Sequence, residues 1–233
     1  MTVDLAALKA DNLARWRRAT PTRDFSAVVR RLVASRARYQ AVAAQTGVPW
    51  YLVAVIHERE SSQSWSASLA QGDPWDRVSV HVPAGRGPFK SWEDAAVDAL
   101  VNCAPYAARW KDWSIGGTLT LLEQYNGLGY FRRGVPSPYI WAGTDQYRSG
   151  KYVRDGVYDP DAVDKQLGCA GLLLAMKALD VSIFPATTSV PSVPPSSQAM
   201  PSPQPSITHP AKGSIGDLVA GLVRTVILTF KRS

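Results

Sequence analysis

The run WYLVAVIHERES at 50–61 constrains the fold of this chain more than any other stretch. Its first seven residues are apolar on almost every side of a helix, and such a helix belongs in the centre of a domain. Gly47 and Pro49 separate it from what precedes it. The run ends in charge, at His57, Glu58, Arg59 and Glu60. A carboxylate at the end of a buried apolar helix is partly desolvated. Desolvation raises its pKa, as a general acid working near neutrality requires.

Helical patterns flank this run. Residues 3–18 read as an amphipathic helix with Leu5, Leu8, Leu13 and Trp16 as apolar contacts. After a Thr-Pro-Thr break, Asp24 or Ser26 caps a second helix to about 45, with Val28, Leu32 and Val42 facing inward. Residues 62–91 are irregular, and the alternation VSVHV (78–82) followed by AGRGP (84–88) predicts a short β-hairpin. Helices resume at 91–103, where Ser91 and Asp94 form a capping-box pattern, and again at 118–125. A long loop rich in Gly, Tyr and Arg covers 126–159, and a last helix is expected at 161–179.

From 185 to 210 the composition changes to eight Pro with many Ser and almost no charge, the signature of an extended or disordered linker. Beyond it, GSIGDLVAGLVRTVILTFKRS is a helical stretch whose apolar run, interrupted by Asp217 and Arg224, is shorter than the roughly 20 residues needed to span a bilayer. An interfacial helix in contact with an anionic membrane is the expectation there, with docking on a protein surface as the alternative.

The net charge of +7 is unevenly placed. Residues 1–40 hold nine Lys/Arg against three Asp, 185–233 hold four against one, and 41–184 hold thirteen against fifteen acids. The basic surplus sits at the ends and favours polyanionic partners without choosing among them. Nucleic acid is not expected, because the basic first 40 residues lack interleaved surface aromatics and any recognition motif. The two cysteines, Cys103 and Cys169, lie in apolar helical contexts and read as buried thiols. His57, His81 and His209 are scattered, so no metal or other cofactor is implied. The first residues lack the long apolar core of a secretory signal, so the reading is a cytoplasmic product acting at the cell wall or periplasm by an unspecified export route.

Glu58 and Glu60 are two positions apart, about 200° around a helix, and cannot line one site as a catalytic pair. Glu60 shares a stripe with Val53 and Ile56, Glu58 with Tyr51 and Val55, and either stripe is able to face the core. From these residues alone, two surface acids paired with Arg59 is the plainer reading. Arg86, in AGRGP, is a candidate for substrate carboxylates, and His57 reads as a satisfied structural histidine.

The segment AVIHERESS (54–62) resembles the helix-ending Glu-Ser motif of the goose-type lysozyme and soluble lytic transglycosylase superfamily. EQYNGLGY (123–130) is similar to its Tyr-Asn-Gly element, and LAQGD (69–73) stands where its Gly-Leu-Met-Gln loop lies, without the Gly-Leu-Met part. SPYIWAGT (137–144) and GKYVRDG (150–156) look like bacterial and phage lysozyme-family proteins. The resemblance covers roughly 45–180. It implies that Glu60 is the catalytic acid, followed by Ser61, and that Gln71, Tyr125 and Asn126 border the sugar cleft. Most of the eight Trp should be core, with Tyr125 and Tyr139 or Trp141 the candidates for sugar stacking.

The expected fold is therefore mainly α, an α+β lysozyme-like arrangement. Residues 1–45 would be helices packing on a catalytic domain at 46–184, followed by a linker at 185–211 and a terminal helix at 212–233. The expected function is cleavage of the β-1,4 bond between N-acetylmuramic acid and N-acetylglucosamine in peptidoglycan glycan strands. An inverting lysozyme needs a second carboxylate roughly 6.5–9.5 Å from the first. Asp73 is the first candidate, with Asp76 behind it, although both also suit plain turn chemistry beside Gly72 and Pro74. The alternatives are a lytic transglycosylase, which needs no such base, and a non-catalytic glycan-binding phage structural protein.

Overall fold

The structure, a computed structural model, describes residues 3–70, 72–179 and 183–184. The linker, the terminal helix expected at 212–233, and Gln71 lie outside the described residues. The described part is mainly helical with one small antiparallel sheet. No helix in it is long and apolar enough to cross a membrane.

The central element is α4 (Trp50–Ser61), and every one of its residues is buried, as its all-round apolar character requires. The helices α2 (Ser26–Ala34), α3 (Arg36–Thr46) and α9 (Cys169–Ala178) pack around it. On the other flank, α1 (Leu5–Arg18) lies along α6 (Ile115–Asn126), and the short α8 (Pro138–Trp141) sits between α6 and α9. The helix α5 (Trp92–Asn102) packs on α3. Local chemistry starts several of these. Asp4 accepts from the N–H groups of Ala6 and Ala7, Ser91 from that of Asp94, and Ser114 from that of Gly117. Close approach matters at Gly171, where a Cβ would collide with the ring of Phe25 beneath α2.

Four expectations need correction. The helix expected at 26–45 is divided at Ser35. The buried stripe Val29, Leu32, Tyr39, Val42, Thr46 keeps helical spacing across that junction, so periodicity carries no sign of the break. Leu5, expected to be an apolar contact, is exposed.

The hairpin is also elsewhere. Val78, Val80 and Val82 are exposed, and their loop is organised by side chains: the N–H groups of Val80 and His81 donate to Asp73, and that of Ser79 to the carbonyl of Arg86. The strands are β1 (Lys151–Arg154) and β2 (Val157–Asp159), pairing Lys151 with Asp159 and Tyr152 with Tyr158 inside the segment expected to be loop. Their turn is Asp155-Gly156, with Gly156 at φ 71°, a strong hairpin signal.

Finally, the last helix begins at Cys169, not 161. The residues before it are drawn out across the end of α4. Gln166 Nε2 donates to the carbonyls of Glu58 and Arg59 and so ties this segment to the helix end. The same helix end closes with Ser62 in the left-handed region, at φ 51°, and its N–H on the Glu58 carbonyl.

Candidate active site

The last turn of α4 carries Glu58, Arg59 and Glu60 into three different environments, as their spacing demands. Glu60 is only 5% exposed, yet it lines an open cleft of about 560 Å³ counted to its mouth. Its Oε1 accepts a 2.9 Å hydrogen bond from the hydroxyl of Tyr139. Burial, and after it the negative charge of Glu60, pushes the Tyr139 phenol well above its ordinary pKa, so it remains a donor. Tyr139 is placed by α8, which starts with Pro138 at a position where a missing N–H costs nothing.

Arg59 is buried behind this pair. Its guanidinium lies 4.8 Å from the centre of the Tyr139 ring, and it donates to Asp164 Oδ2 at 3.0 Å and to the Leu167 carbonyl at 3.2 Å. Burial opposes its charge, but the Asp164 carboxylate outweighs that and keeps it protonated. Burial likewise opposes ionisation of Asp164, and Arg59 overrides it, holding the carboxyl below its usual pKa. Glu58 points away from the cleft, bound by Gln63 Nε2 at 2.7 Å. Burial raises its pKa against the opposing pull of Gln63. The reading of both glutamates as surface acids paired with Arg59 is thus corrected: all three are buried, and the partner of Arg59 is Asp164.

One wall of the cleft comes from α6. Tyr125 lines it and donates from its hydroxyl to the Leu69 carbonyl at 3.0 Å, tying α6 to the loop after α4. Asn126, also on the wall, donates to Ser137 Oγ at 3.3 Å. Behind them Glu123 is 2% exposed, and burial pushes its pKa up to about 8 despite a hydrogen bond with Ser137. It is therefore uncharged at neutral pH. The opposite wall is formed by Tyr130, on α7 (Gly129–Arg133), with Lys151 and Tyr152 of β1. The backbone N–H of Tyr152 donates to the Tyr130 hydroxyl, which fixes the hairpin to α7.

The structure thus brings Glu60, Tyr125, Asn126 and Tyr139 to one cleft. Trp141 is 1% exposed and belongs to the core, and Ser61 turns its hydroxyl back onto the His57 carbonyl, so neither lines it. Asp73 is absent from the cleft wall as well. Its Oδ2 accepts the N–H groups of Val80 and His81 at 2.9 Å each, and Oδ1 lies 2.6 Å from His81 Nδ1. Burial works to raise its pKa, and these bonds outweigh it and hold it low. Asp76 is exposed beside Arg77. Arg86 clamps Asp98 of α5, with Nε at 2.9 Å from Oδ2. His57 is buried between the Tyr39 hydroxyl and the Ser64 carbonyl, a structural position.

Sequence reasoning did not single out Tyr130, Lys151, Tyr152, Asp164 or Gln166. The Asp-Gly turn at 155–156 was the available signal, because it places Lys151 and Tyr152 on a rigid strand. Nothing local marks Asp164 as the partner of Arg59, which is 105 residues away. Among the described residues, no group of three or more His, Cys, Asp or Glu is gathered as metal ligands. Comparisons of the chain with protein-family profiles, with curated proteins and with solved structures found no match.

Proposed function

We propose that this chain is a peptidoglycan-cleaving glycosidase in which Glu60 is the general acid. The observation that carries the reading is a carboxyl group at the end of the central buried helix, opening on a cleft and oriented by the buried Tyr139 hydroxyl. The likeness of 54–62 and 123–130 to the lysozyme and lytic transglycosylase superfamily supports it. The two segments are far apart in sequence and both reach the cleft wall. In the reaction, Glu60 gives its proton to the bridging oxygen between N-acetylmuramic acid and N-acetylglucosamine as positive charge grows on the ring. Tyr139 fixes the carboxyl rotamer, so the proton is delivered along one direction.

A second reading at the same site, the lytic transglycosylase, is favoured by the fate of the other carboxylates. Asp73 spends both oxygens on the 80–81 loop, and Asp164, which lines the cleft, is paired with Arg59. Neither is placed to activate water without giving up those partners. In a transglycosylase Glu60 takes back a proton, from the 6-hydroxyl of the muramoyl unit, which closes a 1,6-anhydro ring. Digestion of purified peptidoglycan followed by mass spectrometry of the muropeptides tests both readings. Anhydro ends support the transglycosylase and reducing ends the lysozyme. Absence of any cleavage, with glycan still bound, leaves only a binding protein and contradicts the enzyme reading.

A further inference from the structure

Resting on that reading of the cleft, we infer that Lys151 is its specificity-determining residue, binding a carboxylate carried by the glycan's substituents. Two cationic side chains line the cleft among the described residues, Arg59 and Lys151, and they differ in what is left to bind. Arg59 is 6% exposed in its side chain; its two terminal nitrogens donate to the Leu167 carbonyl and Asp164, and its Nε is buried and out of a ligand's reach. Lys151 is 32% exposed in its side chain, and its Nζ lies 3.7 Å from Asp164 Oδ1, beyond hydrogen-bond distance. Asp164 is already matched by Arg59 at 3.0 Å. When Glu60 carries its proton, Arg59, Asp164 and Lys151 leave the cleft one positive charge in excess, and Lys151 is the group that can turn it toward a ligand. An uncharged glycan such as chitin offers that charge nothing.

The backbone holds Lys151 in place from both sides. The N–H of Gly150 donates to the Ala162 carbonyl at 2.8 Å, and that of Tyr152 donates to the Tyr130 hydroxyl at 3.0 Å. Gly150, at φ 96°, has the Tyr158 hydroxyl where a Cβ would stand, which locks the start of β1 against β2. An ammonium on such a rigid strand keeps its position relative to Glu60, so a carboxylate on it sets which sugar faces the acid. The carboxylate has two sources in peptidoglycan: the lactyl group of a peptide-free muramoyl unit, or the acidic groups of a stem peptide.

The test is binding, measured by calorimetry on the full chain in a Glu60→Gln background so that turnover does not intrude. The ligands are peptide-free glycan fragments with free lactyl carboxylates, peptide-bearing fragments in which the lactyl group is an amide, and the methyl esters of each. The inference expects at least one acid form to bind roughly tenfold or more tighter than its ester, the size of one charge-assisted hydrogen bond. Lys151→Met should abolish that preference and Lys151→Arg should keep most of it. The pair of ligands that shows the preference identifies the source. An acid preference that survives Lys151→Met, or no preference in a protein that cleaves peptidoglycan, overturns the assignment of Lys151 alone. No binding of any glycan by the folded protein overturns the cleft reading with it.

Discussion

The Tyr139 hydroxyl and the Glu60 carboxylate, 79 residues apart, meet in a 2.9 Å hydrogen bond with the Arg59 guanidinium stacked on the tyrosine ring. The contact joins the end of the central helix to the start of α8, and it restrains a side chain that the proposed chemistry depends on. Removing the hydroxyl alone leaves the ring, and hence the packing, in place. Tyr139→Phe should lower kcat/KM on peptidoglycan by roughly tenfold or more, since a buried acceptor loses its donor. The thermal transition should move little. Full activity in the variant would mean that the bond does not orient the acid.

Asp73→Asn separates the base from the loop anchor. Its carboxylate holds the 80–81 backbone and is not on the cleft wall. The substitution should lower stability by about 1–2 kcal/mol, through weaker bonds to the two N–H groups, and leave activity within a few-fold. Loss of activity in a folded, equally stable variant would restore Asp73 as a catalytic carboxylate.

Glu123 gives a pH signature. Its carboxyl titrates near its ordinary 4.5 when unfolded and is pushed by burial up to about 8 when folded, so the unfolded chain binds fewer protons between those limits. The buried carboxyl therefore costs nothing below pH 4.5, an increasing amount from 4.5 to 8, and a constant amount above. Glu123→Gln should match the wild type in stability near pH 4 and exceed it at pH 8 and above, by on the order of a few kcal/mol. Denaturant unfolding across that range reads the difference, and a difference independent of pH would contradict the neutral buried carboxyl.

How much of this was legible beforehand follows from where each signal resides. The central helix was plain because seven consecutive apolar residues leave no solvent face, and burial of Trp50–Ser61 follows from that. Ser91 as a cap was plain because capping is local chemistry. Glu60 and Glu58 diverging was plain from helical geometry, but which of them met the cleft was not, since both stripes are apolar. The hairpin was misplaced because the alternation at 78–82 outweighed the Asp-Gly turn at 155–156, and alternation does not reveal that Asp73 takes the backbone donors of that loop. Trp141 looked like a sugar platform and is core, because aromatic character does not say which side of a four-residue helix is covered.

The Arg59–Asp164 pair lies outside any sequence pattern, and it predicts a stability effect. With Asp164→Asn, a buried guanidinium loses its counter-charge, which should cost about 3 kcal/mol at neutral pH. The folded-state pKa of Asp164 is lowered, so this contribution is complete above the ordinary value of 3.8 and is lost as pH falls through the lower, folded one. The gap between wild type and variant should therefore narrow on acidification. A gap that stays open at acid pH would mean that the pair contributes by packing and not by charge.

The most direct measurement of the central claim compares Glu60→Gln with Glu58→Gln on purified peptidoglycan, with folding of both verified by circular dichroism. The two residues share a helix turn and similar burial, and one lines the cleft. The account predicts that Glu60→Gln loses activity by roughly a hundredfold to ten-thousandfold, the range for a general acid, while Glu58→Gln stays within tenfold of the wild type. Retained cleavage by Glu60→Gln, or an equal loss in both, would contradict it.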